Sequence, residues 1–203
     1  MTSFLIKSEP HSLTVDMSSV MPTAKMTDEQ FYAFCFANRD LRIERSANGD
    51  IIVMPPAFSD TGNRNLKISQ QLANWADEDG TGETFDSSAG FTLPNGATRS
   101  PDAAWVLLER WNALTLEQQA SFAPICPDFV VELRSASDTL ASLQAKLEEY
   151  IANGSRMGLL IDRKNCTVHI YRPSVSVEIL YHPSRVNCDP ELPGFVLQMA
   201  RIW

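Results

Sequence analysis

The sequence predicts one α/β domain preceded by an N-terminal arm. Three observations carry that reading. The pair Asn48-Gly49 separates two strand-like runs, LRIERS and DIIVMPP, and Asn-Gly in that setting is the strongest short hairpin signal. Residues 60–79 place Ile68, Leu72, Trp75 and Ala76 at i, i+4, i+7 and i+8, which is one face of an amphipathic helix. The run DFVVELRS is followed by a helix-length segment and then by three further strand-like runs, the mixture expected of an α/β sheet.

Each element follows in chain order. Residues 1–25 are rich in Ser, Thr, Pro and Met and lack a lasting period, so they are expected to form an extended arm, with the domain at 26–203. Thr27 and Gln30 have capping-box spacing, and Phe31, Phe34 and Cys35 follow at helical intervals. That predicts a short helix ending near Asn38. The hairpin comes next, stopped by Pro55 and Pro56. After the helix over 60–79, ended by Gly80 and Gly82, short strands are expected at 83–85 and 90–93, with a turn at Pro94-Asn95-Gly96. Asp102 to Leu108 reads as a strand and 109–121 as a mobile or short helical insertion. Asp128 to Ser135 is the best buried strand. The segment TLASLQAKLEEYIANG is expected to be a helix with Asp138 or Ser137 as its N-cap and Gly154 just past its end. The runs MGLLIDR, CTVHIYR and VSVEILY read as strands, as do residues 195–199.

Composition excludes several classes. The 203 residues fit one domain, and 44% hydrophobic with 21% charged is an ordinary globular balance. No apolar run approaches the ~20 residues of a membrane-spanning helix, so no membrane partner is expected. The net charge of −8 argues against binding nucleic acid over a broad basic surface. A narrow basic or metal-loaded cleft on an acidic body stays open, because bound ions add charge that side chains do not count. Cys35, Cys126, Cys166 and Cys188 form no C-x-x-C pair, and His11, His169 and His182 are scattered, so no zinc signature exists. Widely spaced single cysteines read as buried thiols of a reducing compartment. The N-terminus lacks a signal-peptide h-region, and a cytoplasmic location is expected.

Four residues break the core pattern. Glu132 sits inside FVVEL, a run that otherwise reads as buried on both faces, and a buried carboxylate needs compensation. Strand alternation puts Asp128, Val130, Glu132 and Arg134 on one side. The bland reading is an internal Glu132–Arg134 ion pair. Asp102 opens DAAWVLL after Arg99-Ser100-Pro101, where a turn aspartate is the bland reading. Taken together, Asp102 and Glu132 are two hard-oxygen groups at the ends of two apolar strands, which suits Mg²⁺. Lys146 borders the apolar stripe Leu140, Leu143, Leu147, Tyr150 and Ile151, so it either snorkels to solvent or puts its ammonium near the strand ends. Glu44 interrupts LRIERS, where a solvated edge glutamate is the default.

The blocks S-P-D-A-A-W-V and P-D-F-V-V-E-L-R-S-A-S-D resemble the PD-(D/E)XK nuclease superfamily. More closely, the chain is similar to the Uma family, described as putative restriction endonucleases. The likeness runs from about Leu41 to Arg172 and includes IERSANGDIIVMPPA, GNRN, SSAGFTLPNGATRSPDAAWV and QAKLEEYIANG in order. It implies a restriction-endonuclease-like mixed central β-sheet flanked by helices. It places the first catalytic acid on Asp102, the second on Glu132 and an additional acid on Glu44. The motif's lysine position falls on Arg134, a departure, since arginine keeps the charge but does not deprotonate usefully. Some superfamily members take this lysine from the following helix, which implies Lys146, with Tyr150 and Gln144 behind it.

The resulting expectation is an endonuclease acting on DNA. Asp102, Glu132 and the backbone carbonyl of Leu133 would hold Mg²⁺ or Mn²⁺, with Glu44 reaching the site through water. Lys146 and Arg134 would face charge on the phosphoryl oxygens. Weak electrostatic attraction to DNA favours a homodimer. The rival is a catalytically degenerate nuclease fold serving as a binding or interaction module. A metal-free paired-carboxylate hydrolase ranks below both, because nearby cations keep both acids ionised.

Overall fold

The structure is a computed structural model that describes residues 6–9 and 12–15 as backbone strands, and residues 26–203. Two six-stranded sheets and a small hairpin make the framework. The first sheet is antiparallel throughout. Its strands are β1 (Ile6–Glu9), β2 (Ser12–Val15), β3 (Arg42–Arg45), β4 (Ile51–Met54), β6 (Phe91–Thr92) and β7 (Thr98–Arg99), in the order β1-β2-β4-β3-β7-β6. The arm expected at 1–25 is thus an added hairpin over its described residues, with β2 paired to β4. Helix α1 (Asp28–Ala37) carries the capping box at Thr27 and Gln30. Gly49, at φ 92°, makes the turn between β3 and β4, a backbone region that glycine enters without steric cost.

The second sheet is mixed, in the order β12-β11-β10-β9-β8-β5. It comprises β5 (Gly82–Asp86), β8 (Ala103–Leu107), β9 (Phe129–Leu133), β10 (Met157–Asp162), β11 (Thr167–Tyr171) and β12 (Glu178–Tyr181). Only the pair β9–β10 is parallel; every other pairing is antiparallel. Two parallel strands need a crossover, and helix α5 (Leu140–Ala152) supplies it. Its N-cap is Thr139, one or two residues later than expected. Between β8 and β9 the insertion forms two short helices, α3 (Leu108–Asn112) and α4 (Leu116–Gln119). The hairpin of β13 (Arg185–Asn187) and β14 (Val196–Gln198) closes the chain.

Helices cover both faces of the mixed sheet. On one, α2 (Ser59–Asp79) and the β13–β14 hairpin pack Ile68, Leu72, Val186 and Leu197 against Phe129, Val131, Leu159 and Ile170. On the other, α5 packs Leu143, Leu147 and Tyr150 against Val130 and Leu160. The approach of α5 is close. A Cβ on Gly158 of β10 would lie 2.4 Å from Leu147 Cδ1, so a side chain there would displace Leu147 from its present seat. Trp75 and Trp105 pack together at 5.6 Å between centroids. His169 is buried beside Thr167, and His182 stacks on Trp203, so both are structural. Cys126 and Cys188 are buried thiols, whereas Cys166 is exposed and Cys35 half-buried, so the expectation of buried cysteines holds for two of the four. Among the described residues no helix is long and apolar enough to cross a membrane.

Candidate active site

The register of the mixed sheet builds the site. Ala103 pairs with Val131 and Ala104 with Val130. Continuing that register one step sets Asp102 opposite Glu132, at the end of β9 where the parallel pair opens toward its crossover. Ligands of open α/β sheets bind outside the carboxyl ends of such strands. A cleft of about 850 Å³ lies there, lined by Glu44, Arg99, Asp102, Glu132, Leu133 and Lys146 among others.

Each side chain has a defined holder. Asp102 is pinned through both oxygens: Leu133 N–H donates to Oδ2 at 2.8 Å and Asn65 Nδ2 to Oδ1 at 2.7 Å. Lys146 Nζ lies 2.8 Å from Glu132 Oε1 and 2.9 Å from Glu44 Oε1, so one ammonium bridges the two glutamates. Tyr150 donates its hydroxyl to Glu132 Oε1 at 3.2 Å. Glu44 also accepts from Ser100 N–H at 3.0 Å and from Arg99 Nη1 at 3.1 Å. Arg99 Nε reaches Glu149 at 2.6 Å. The first sheet therefore brings Glu44 and Arg99, and the second brings Asp102 and Glu132. Helix α5 adds Lys146, Glu149 and Tyr150, and α2 adds Asn65.

Burial and charge set the proton affinities. Burial pushes Glu132 up to about 8, with the charges of Asp102 and Glu44 adding to the rise and Lys146 opposing it. Burial also raises Asp102, against the pull of Leu133 N–H and Lys146. Glu44 is lowered despite its burial, because Lys146 and Arg99 flank it. Burial works against the charge on Lys146, yet Glu132 and Glu44 outweigh it and hold the ammonium protonated. Lys146 is therefore a fixed cation, not a base.

The structure brings Glu44, Asp102, Glu132, Leu133 and Lys146 into one cleft. It does not bring Arg134. The strand ends at Leu133, so the alternation that predicted Arg134 beside Glu132 no longer applies one residue further on. Arg134 Nη1 instead pairs with Asp162 at 2.8 Å and Nε donates to the Asp138 carbonyl at 3.2 Å, and Arg134 does not line the cleft. The internal Glu132–Arg134 ion pair is likewise absent. Gln144 does not line the cleft either. Glu44 is no solvated edge residue but a buried one held by three donors.

Two functional candidates escape the sequence reading, Asn65 and Arg99. Asn65 left a signal. It lies three residues before Ile68, on the apolar stripe of α2, and is 9% exposed. A polar group on a core stripe is the same anomaly that singles out Glu132. Arg99 left none, because its two acid partners come from distant segments.

Most of the chain matches a known family. Residues 28–200 match the family model Uma2, described as "Putative restriction endonuclease". The chain belongs to that family. No curated protein matches it. Among solved structures it is similar to a putative nuclease belonging to DUF820 from Anabaena variabilis, at 19% identity and a TM-score of 0.68, covering 87% of this chain and 97% of that one. At that identity the likeness shows the fold, a central mixed sheet flanked by helices.

Proposed function

We propose that the cleft hydrolyses phosphodiester bonds of DNA with a divalent metal ion, as in the PD-(D/E)XK nucleases that the sequence resembles. The observation that carries this is the fixed ammonium of Lys146, 2.8 Å from Glu132, in a cleft that also holds Asp102 opposite. The family's description as an endonuclease family supports the same reading.

The donor set fits a hard cation. Among the described residues no three His, Cys, Asp or Glu side chains converge as a metal cage. Mg²⁺ does not need one, since it commonly takes one or two carboxylates and keeps several waters. Asp102 and Glu132 supply the two carboxylates, with the Leu133 carbonyl as a third oxygen. Asn65 Oδ1 is a buried acceptor with no partner, beside Asp102. An orphaned acceptor is costly, and a metal-bound water is the kind of donor that satisfies it. When bound, the ion would polarise the scissile phosphate and lower the pKa of a bound water.

The chain's own residues do the rest. Lys146 faces the negative charge that builds on the phosphoryl oxygens, where a preorganised cation acts most strongly. Glu44 and Tyr150 orient it and its partner Glu132. Arg99 neutralises Glu44 and anchors it to α5 through Glu149. Arg134 takes no part and braces the strand end. As part of the same reading the protein works as a homodimer, which supplies affinity that the acidic body of one chain lacks. A mass of one chain in light scattering would remove that part.

The test is cleavage of single-stranded, duplex and plasmid DNA with Mg²⁺ or Mn²⁺, with and without EDTA. The expected result is EDTA-sensitive cleavage that Asp102→Asn abolishes. No cleavage, together with equal and negligible Mn²⁺ binding heats for wild type and Asp102→Asn, would favour the binding-module reading.

A further inference from the structure

The mixed sheet has two edge strands, and they are guarded differently. At one end, β5 carries Glu83 and Asp86, both exposed, and charge on an edge keeps it from pairing with another chain. At the other end, β12 shows an apolar strip. Val177, Ile179 and Tyr181 are 40%, 42% and 78% exposed, and they recur at every second residue. Period two is one side of a strand. Leu180, of the opposite phase, packs against the apolar core.

The register fixes which side the strip occupies. Ile179 stands opposite His169, and His169 opposite Leu160, a residue packed with the α5 cluster. The strip therefore lies on the α5 side of the sheet. Its backbone is open as well. His182 N–H donates to the Cys166 carbonyl at 2.7 Å. Bonded and non-bonded pairs alternate along an antiparallel ladder, so Val168–Leu180 and Ile170–Glu178 are the bonded pairs of β11 and β12. Ile179 and Tyr181 turn their N–H and C=O groups to the outer edge, where no strand meets them among the described residues.

We propose that β12 pairs antiparallel with β12 of a second copy of this chain, across a two-fold axis at Ile179. The strip fits itself. That axis sets Ile179 against its mate and Tyr181 against the partner's Val177, an aromatic on a β-branched side chain, which stabilises a sheet. The outward N–H and C=O groups of the two strands then meet in register. Charge does not oppose the contact. Glu178 is the one charged residue of VSVEILY. It has the other phase, falls opposite the partner's Leu180 and lies 3.8 Å from Arg172. No like charges face each other, which matters for a chain of net charge −8. The strip is short, so the interface falls near the ~1,200 Å² lower end of specific contacts, and a Kd of about micromolar is expected.

The pairing rests on the homodimer reading and on none of the cleft chemistry. It sets both α5 helices on one side of a continuous sheet. The test uses no DNA: sedimentation velocity of the full chain from about 1 to 100 μM, with amide hydrogen exchange at both ends of that range. The wild type is expected to pass from one chain mass to two. Exchange at Ile179 and Tyr181 should slow with concentration, while exchange in β5 should not. Ile179→Lys should weaken Kd about a hundredfold, because the axis sets the two lysines against each other. A wild type of one-chain mass throughout overturns the pairing and the homodimer together and leaves the nuclease reading standing. A dimer with unchanged Kd in Ile179→Lys, or no concentration-dependent slowing at Ile179 and Tyr181, overturns the pairing alone. Where Ile179→Lys does not fold, the wild-type exchange decides.

Discussion

The two faces of β9 solve opposite problems with alternate residues of one strand. Phe129, Val131 and Leu133 face α2 and the C-terminal hairpin in an unbroken apolar core. Val130 and Glu132 face α5, where Leu147 and Tyr150 give way to Lys146 within one helical turn. On the first face, burial of apolar surface does all the stabilising, and no partner has to be specified. On the second, charges are held away from water only because each has a named partner. Such clusters are weak sources of stability and strong sources of preorganisation. The α5 face thus gathers the paired charges of β9, and the α2 face, Asn65 apart, holds the strand by apolar packing.

The largest way to break this contrast acts on activity. Lys146→Met keeps the stem and removes the charge; it should lower cleavage by about 10²–10³-fold, the scale of losing one preorganised electrostatic group. The measurement is single-turnover cleavage beside Mn²⁺ calorimetry, where binding should persist. Glu44→Gln should cost about 3–5 kcal/mol in urea denaturation, because Arg99 and Lys146 stay buried with a partner lost. Leu159→Ala, on the dry face, should cost a similar ~2–5 kcal/mol by cavity formation, yet leave the metal affinity of the remaining folded protein unchanged. Equal losses of metal binding in Glu44→Gln and Leu159→Ala would erase the distinction between the faces. Arg134→Gln should be milder, about 1–3 kcal/mol, since Asp162 keeps the Asn165 and Lys164 donors. Cleavage per folded molecule should not change in that variant, and a loss would restore Arg134 to the site.

The smallest effect is in pH. Glu132 is raised from 4.5 to about 8, so between those values the folded protein holds a proton that the unfolded chain has released. Stability should therefore fall as pH rises through that window. Glu132→Gln should flatten that part of the Tm–pH curve. A wild-type curve that instead climbs from pH 5 to 8 would show Glu132 ionised throughout.

Much of the frame was legible along the chain. The Asn48-Gly49 hairpin, the Thr27–Gln30 capping box, α2, and the β9–α5–β10 succession all rest on local spacing, and all are present. Four strands were not foreseen: β1 and β2 lie in the stretch read as an extended arm, and the others are β7 and β13. β7 has two residues and β13 three, too short for a period to show. The first sheet as a separate antiparallel unit was missed for a related reason. It is assembled from pairings such as β3 with β7, a single residue pair in register, that no local pattern records.

What the sequence determined by itself was where polarity conflicts with burial. Glu132 inside FVVEL, Lys146 at the border of its stripe and Asn65 on the stripe of α2 are anomalies that periodicity exposes without coordinates. What only the tertiary structure decided was which charge meets which. Glu132 is paired with Lys146 and not Arg134, Glu44 is clamped by Arg99, and Asp102 is held by Asn65. Alternation assigns a side chain to a face, but it ends with the strand, and it says nothing of the distance between segments that the crossover and the second sheet bring together. Coulomb and hydrogen-bond energies fall off over a few ångströms, so the pairing is fixed by those distances and by nothing nearer in the chain.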